Sequence, residues 1–472
     1  MSMTGANVQG ERATPQPAAR TSTRRRMLVF THGYPPLQAS GAELHIARKV
    51  EWWHARGPHV EVVAVDPQPS AYMAPDVIDY SVDSRHGVLV HRLRLAVPDA
   101  SRPLRDTFAH PGLIPQIRER LEAFGPDIVY QVSGYILGLW PLQLASASGT
   151  PTVLFAADYW TECQRVTLLR PDGSLCLGAR SAADCAACRL TAQRAAAIGG
   201  RRLNKLLWHG AAAVGNRAPG ALANRLGVTV FSERQAAIAE ALTRIDRVVV
   251  NSSFLAERLV RLGVMRERML VIRQGIDPSE FAGFRRPTDR SAAGLRVIYL
   301  GQLSRHKGVD LLIDAVTRLA DAGERISVDL HGPVTDQAIA ETLDVLDHPA
   351  INIGRLIPRE ELAAELIAHD VLVLPSRWYD NSPNVILEAF STGLPVVAAN
   401  HGGMAGMVRH DVDGLLFQPG DAQALAATLR RLAREPGLLE RLRRGICPPY
   451  DLEGEMDPEE SLLDALLAAS RR

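Results

Sequence analysis

Continuous apolar runs of strand length, each followed by a helical pattern, recur along this chain. "MLVFTH" (27–32) leads through a glycine turn into "GAELHIARKVEWWHARG". "VEVVAVD" (60–66), "DIVYQV" (127–132), "PTVLFAAD" (151–158) and "RVVVNS" (247–252) follow. Runs that do not alternate suit strands buried on both faces, as in parallel sheets. Strand, helix and strand in repetition imply right-handed crossovers and an α/β fold. The series restarts after the Pro/Gly/Ser-rich "GIDPSEFAGFRRPTDRSAAG" (275–294), with "RVIYLG", "ISVDLHG", "INIGR", "DVLVLPS" and "PVVAAN".

The expected architecture is therefore two Rossmann-like, doubly wound domains facing a central cleft. Their spans are 27–274 and 295–440, with 275–294 as linker. A chain of 472 residues is too long for one ordinary core, which agrees with two. Residues 1–26 are small, polar and Pro-containing and read as a disordered tail. Residues 441–472 read as a helical tail whose apolar stripe fits against either domain.

Lys+Arg total 53 and Asp+Glu 52, a net charge of +1, which gives no global field for nucleic acid. The N-terminus lacks the apolar segment of a signal peptide. No apolar run reaches the ~20 residues of a membrane span. The expectation is a cytoplasmic chain. Peripheral membrane contact is one reading of "GGRRLNKLLWHGAAAVGNRAPGALANRLGV" (199–228), where Arg201, Arg202 and Lys205 mix with Leu206, Leu207 and Trp208. The other is a helical stripe packed on its own domain.

The lysines are Lys49, Lys205 and Lys307, so arginine has replaced lysine almost everywhere. Lys307 sits in "LGQLSRHKGVD", between a strand ending at Leu300 and a helix beginning near Val309. A loop between a strand end and a helix N-terminus exposes unpaired amides, and the helix dipole favours an anion there. A lysine adds a full charge, which outlines a diphosphate cradle. The alternative is a plain turn with a solvated lysine.

A second stretch, "PSRWYDNSPNVILEAFSTGLPVVAANHGG", places Asp380 in a loop and Glu388 eight residues on, along a helix. Pro383 suits the first helical turn, with Asn381 or Ser382 as its cap. A carboxylate accepts two hydroxyl hydrogen bonds, which fits a vicinal diol such as ribose. A surface acid plus a capping acid is the alternative. A third stretch, "HGYPPLQASGAELHIARKV", opens a helix at Gly41, where small residues let a ligand approach the backbone. It lacks the G-x-G-x-x-G pattern, which disfavours a nicotinamide enzyme.

Taken in order, these motifs resemble the family-4 glycosyltransferases (glycosyl transferases group 1) of GT-B fold. The likeness covers nearly the whole chain after residue 26, adding "VVVNSSFLAERLVRLGV", "VIRQGID" and "DGLLFQPGD". It implies a retaining transfer of sugar from a nucleotide-diphosphate donor to a hydroxyl acceptor, in glycan, polysaccharide or glycoconjugate synthesis, with no cofactor required for catalysis. Lys307 would neutralise the diphosphate, with Arg305 assisting. Glu388 would bind the ribose. Asp380, with the backbone around Asn381, Ser382 and Asn384, would hold the sugar. Gly41 would approach the diphosphate, and Asp158 would sit on the acceptor side. Gln302 stands where many members carry arginine. Ala157 stands where they carry histidine, and Gly406 where they carry glutamate. Asp380 is one methylene shorter than the family's usual glutamate. These departures motivate the alternative of a catalytically degenerate partner subunit or nucleotide-sugar sensor.

Four of the five cysteines, Cys163, Cys176, Cys185 and Cys188, fall in one segment with spacing C-x12-C-x8-C-x2-C. Reduced thiols ending in C-x2-C suit a closed tetrahedral zinc site of structural type. It would staple an insertion of about 159–240. Four unrelated small core residues, or an iron–sulfur cluster, are the alternatives.

Overall fold

The computed structural model describes residues 25–38, 41–68, 78–96, 104–179, 181–195, 201–284 and 294–470. In it the apolar runs form two separate sheets. The first contains β1 (Arg26–Thr31), β2 (His59–Gln68), β3 (Ile78–Arg85), β4 (Val88–Ala96), β5 (Ile128–Val132), β6 (Thr152–Ala156), β7 (Arg247–Val250) and β8 (Met269–Val271). Their order is β3-β4-β2-β1-β5-β6-β7-β8. All neighbours pair parallel except β3 and β4, which form an antiparallel hairpin. The second sheet is wholly parallel. It contains β9 (Leu295–Leu300), β10 (Ile326–His331), β11 (Ile351–Ile353), β12 (Val371–Leu374), β13 (Val396–Ala399) and β14 (Gly414–Phe417), in the order β11-β10-β9-β12-β13-β14.

Helices cover both sheets. The first carries α1 (Gly41–Ala55), α2 (Leu113–Phe124), α3 (Trp140–Ala147), α4 (Ala182–Ala195), α5 (Arg201–Arg217), α6 (Gly220–Arg225), α7 (Val228–Arg244) and α8 (Ser253–Arg261). The second carries α9 (Val309–Asp321), α10 (Gln337–Asp344), α11 (Leu362–Ala368), α12 (Asn384–Ser391), α13 (Met404–Met407), α14 (Ala422–Arg434) and α15 (Leu438–Gly445). Ser252 caps α8 by accepting from the Leu255 amide, a role its residue type favours. The central strands β1, β5, β6, β12 and β13 are buried almost throughout, as continuous apolar runs require.

Two boundaries, at residues 440 and 26, depart from the expected organisation. α15 runs through the boundary expected at residue 440, and its Leu438 and Leu442 belong to the second core. The last helix, α16 (Leu452–Ser470), returns to the first sheet and buries Met456, Leu463, Leu466 and Leu467 there. The linker's first residues run beside that returning chain: the Ile276 amide donates to the Tyr450 carbonyl at 2.9 Å. Residues 1–24 of the expected tail and 285–293 of the expected linker lie outside the described residues, while Arg26 already belongs to β1.

Candidate active site

The parallel strands of both sheets point their C-terminal ends at a cleft of about 740 Å³. Open α/β sheets take ligands at such ends. Gly41, Asp158 and Asn251 line it from the first domain; Gln302, Lys307 and Glu388 line it from the second.

After β9 the chain turns sharply before entering α9. Gly308 has φ +77°, and a Cβ there would lie 1.9 Å from the Pro375 carbonyl oxygen. Only glycine makes that turn against the end of β12. The preceding residue, Lys307, is thereby held at the helix N-terminus. Its Nζ donates to Asp380 Oδ2 at 2.5 Å and lies 5.0 Å from the Trp378 ring centre. The ammonium is mostly covered and paired rather than solvated. His306 lines the cleft beside it; burial and then the Lys307 charge lower its pKa.

Arg305 does not join this group. Its side chain points to Asp336, 3.3 Å away, is more than half exposed, and is absent from the cleft wall. The expectation that it assists at the diphosphate is corrected accordingly: the loop is irregular, so residues two apart need not share a face. Gln302 does line the cleft.

The loop after β12 carries Asp380, and its shape differs from the expected one. Pro383 is the N-cap position and α12 starts at Asn384; neither Asn381 nor Ser382 caps it. Asn381 instead crosses to the first domain. Its Nδ2 donates to the Ala157 carbonyl (3.0 Å) and Asn251 Oδ1 (2.6 Å), while Ser252 Oγ donates to its Oδ1 (2.5 Å). The loop is clamped from behind by Gly403, whose amide donates to the Asp380 carbonyl at 2.9 Å. A Cβ on Gly403 would lie 1.6 Å from the Asn381 carbonyl oxygen. Tyr379 packs into the first domain's core, its ring 4.7 Å from that of Phe254. Ser382 and Asn384 line the cleft, and Gln274 Nε2 donates to Asn384 Oδ1 at 2.5 Å. Gly41 faces Asn384 directly: a Cβ on it would lie 3.5 Å from Asn384 Nδ2. The first turns of α1 and α12 therefore meet across the cleft, adding two positive dipole ends to Lys307.

Glu388, on the second turn of α12, is buried and forms an ion pair with Arg359, which also pairs with Glu280. Asp158 borders both the cleft and an adjoining cavity of about 270 Å³. Ser133 Oγ and the Trp160 amide donate to its two oxygens at 2.6 and 2.8 Å. His32 and Glu43 line the same smaller cavity, 3.4 Å apart. Burial acts to lower the His32 pKa, but the Glu43 hydrogen bond and the charges of Asp158 and Glu43 outweigh it, so the net shift is upward. In sequence His32 follows the first strand and reads equally as a cleft-lining residue or a satisfied loop histidine; nothing local marks Glu43, eleven residues on, as its partner.

A buried ionic network lies behind the cleft. Lys49 is fully buried and donates to Glu459 Oε2 (2.5 Å) and Tyr130 Oη (3.2 Å). Tyr130 donates to Glu459 Oε1 at 2.6 Å. His45, which lines the cleft, bonds Glu455 at 2.6 Å, and the Gly275 amide donates to the same carboxylate at 2.7 Å. This joins α1, β5 and the start of the linker to α16.

Two groups could hold a metal. Ligand atoms of Asp329, His331 and Glu365 all lie within 4.8 Å of one another, though His369 Nε2 already binds Asp329 at 2.7 Å. Cys163, Cys176, Cys185 and Cys188 share one small cavity as free thiols, but their sulfurs are not gathered that closely. Burial pushes the Cys185 thiol up to about 12, and the other three cysteines push the same way.

Residues 40–275 match the family described as Glycosyl transferase 4-like domain, and residues 294–435 match Glycosyl transferases group 1. The chain belongs to the group 1, family-4 glycosyltransferases. Among curated members of this family, it is 30% identical over 184 residues to the amylovoran biosynthesis glycosyltransferase AmsK of Erwinia amylovora. That match covers 38% of this chain and 45% of the relative. It is 32% identical over 222 residues to D-inositol 3-phosphate glycosyltransferase 1 of Catenulispora acidiphila, covering 42% and 52%. The chain spans about half the length of the curated relatives it matches. Among solved structures, sucrose-phosphate synthase of Thermosynechococcus elongatus superposes with a TM-score of 0.61 at 17% identity, covering 94% of this chain and all of that one. Anabaena HepE, solved with UDP, gives 0.59 at 15% identity, covering 93% and 100%. The fold is GT-B, with the two facing sheets expected from the sequence.

Proposed function

We propose that this glycosyltransferase moves a sugar, with retained configuration, from a nucleotide-diphosphate donor to a hydroxyl acceptor in polysaccharide or glycoconjugate synthesis. One observation carries the reading: Lys307 stands at a helix N-terminus in the interdomain cleft, faced by the first turns of α1 and α12. As the anomeric bond breaks, the leaving diphosphate gains negative charge. Preorganised amides and one ammonium stabilise it without reorganisation. Asp380 holds Lys307 in place until the donor arrives and then accepts a sugar hydroxyl. Glu388, buried one turn into α12, accepts the ribose hydroxyls. The acceptor enters by the smaller cavity, beside Asp158, His32 and Glu43. The HepE structures in complex with UDP and with UDP-glucose support a nucleotide-sugar donor here.

A membrane-borne acceptor fits the basic and apolar surface of α5 and α6. Residues 185–232 hold seven arginines and lysines and no acidic residue. On α5 and α6, Leu206, Val214 and Leu222 are exposed alongside Lys205, Arg217 and Arg225. The side chains of Arg201 and Arg202 lie outside the described residues. No helix among the described residues is long and apolar enough to cross a membrane, so contact would be peripheral.

Incubating the purified chain with UDP-, GDP- and ADP-sugars tests the reading. Release of nucleoside diphosphate from at least one donor, lost in Lys307→Ala, is expected. Absence of release and of binding with every donor would overturn it. The degenerate-subunit alternative predicts binding without release.

A further inference from the structure

Between β6 and β7 the chain makes a long excursion. Residues 157–179, all described, contain no helix or strand, only a bridge between Leu169 and Leu175. The backbone there is forced: Val166 and Leu168 adopt φ +64° and +51°, a region side chains with a Cβ avoid. Helices α4, α5 and α7 follow. Loops of this length without secondary structure ordinarily need something to hold them.

Four cysteines mark where such a hold would sit. Cys163 and Cys176 pack against the main core of the first domain. Cys185 packs with Phe231 of α7 in a second, small apolar cluster, and Cys188 packs with Trp208 of α5 in a third. The quartet is thus the junction between that main core and two small clusters that have little apolar area of their own. All four side chains line a single cavity of about 40 Å³, room for one ion rather than a multi-iron cluster.

The charge around the quartet is the second observation. Arg234, on α7, is 2% exposed, donates to the Trp160 carbonyl and stacks 4.7 Å from the Trp160 ring. Its Nε has no partner, and it forms no ion pair among the described residues, although the Asp158 charge reaches it. A buried arginine without an anion is costly. Arg165 Nη1 comes within 3.8 Å of Cys188 Sγ, and Arg170 also lines the cavity. Arg189 lines it too, as do two acids, Asp184 and Glu162, the latter paired with Arg258. A divalent ion bound by four thiolates carries a net charge of −2, which would offset the buried charge of Arg234.

We infer that Cys163, Cys176, Cys185 and Cys188 bind one zinc ion as a tetrahedral, structural site compensated by Arg234, Arg165 and Arg170. Each thiol loses its proton to solvent as its Zn–S bond forms, with no change of oxidation state. Zn–S bonds of ~2.3 Å require the sulfurs to turn inward from their present positions about the shared cavity. The ion pins α4, α5 and α7 to the first domain. Because Val166, three residues beyond Cys163, lines both the cleft and the smaller cavity, the ion also fixes the acceptor-side wall.

The test is elemental analysis of the purified full-length chain. One zinc per chain is expected, falling to background in Cys185→Ser/Cys188→Ser. If that variant fails to fold, the wild type still decides: zinc removed by a chelator should be replaceable by cobalt, giving thiolate-to-metal charge-transfer absorption and the intense visible bands of a tetrahedral site. A metal-free preparation with all thiols reactive, a disulfide among them, or iron with sulfide would overturn the proposal. The metal content does not depend on donor turnover, so its failure is distinguishable from failure of the glycosyltransferase reading.

Discussion

Lys307 Nζ and Asp380 Oδ2 stand 2.5 Å apart in the cleft, one on the loop after β9 and the other on the loop after β12. The pair closes the second domain's half of the site and defines what a donor must do on entry. A diphosphate competes with Asp380 for the same ammonium. Catalytic consequences therefore differ between the two residues.

Lys307→Ala is expected to lower turnover by about a hundredfold or more, the range for losing one preorganised charge contact. Steady-state kinetics with the best donor measure it. A variant with near wild-type turnover would remove Lys307 from the role assigned.

Asp380→Asn should separate binding from transfer. Freed from its partner, Lys307 is expected to bind nucleoside diphosphate about tenfold more tightly, ~1.4 kcal/mol, while sugar transfer falls. Calorimetric titration of the diphosphate beside a transfer assay checks both.

Asn381 is the polar strut between the domains, with hydrogen bonds to Ala157, Asn251 and Ser252. Removing it should loosen closure and admit water. Asn381→Ala is expected to raise the ratio of donor hydrolysis to transfer several-fold, with little loss of global stability. An unchanged ratio would assign the strut a purely structural role.

The network behind the cleft has a stability signature. Burial alone would raise the Glu455 pKa, but the charge and hydrogen bond of His45, the Lys49 charge and the Gly275 amide hold it down, from 4.5 to about 2. A carboxylate depressed in the folded state contributes stability above its unfolded pKa and loses it as pH falls through the folded one. Denaturant unfolding should therefore show stability dropping between about pH 4.5 and pH 2, and Glu455→Gln should flatten that segment. Lys49→Ala, which leaves the buried Glu459 with the Tyr130 hydroxyl but without its lysine, is expected to cost about 3–5 kcal/mol at neutral pH.

Much of this was legible in the linear chain, and the gaps have physical causes. Buried parallel strands announce themselves as unbroken apolar runs, so β1, β2, β5, β6, β7, β9, β10, β12 and β13 stand out, and "INIGR" marks the short β11 beside them. The hairpin does not: β3 lies at the sheet edge and is mostly exposed, so its polar residues hide it. β8 and β14 are edge strands, β8 with no buried residue and β14 opening on Gly414, so neither reads as a continuous buried run. Lys307, Asp380 and Glu388 were readable because a glycine-bracketed turn and a short helix limit where they point. Arg305 was not, since direction along an irregular loop depends on partners such as Asp336. Lys49 was invisible as a buried cation because Glu459 lies 410 residues away.

The most direct test is a crystal structure of the chain with a nucleoside diphosphate. The account predicts a phosphate oxygen within about 3 Å of Lys307 Nζ, with the Lys307–Asp380 hydrogen bond lengthened or broken. A nucleotide lodged elsewhere, with that pair still closed at 2.5 Å, would contradict it.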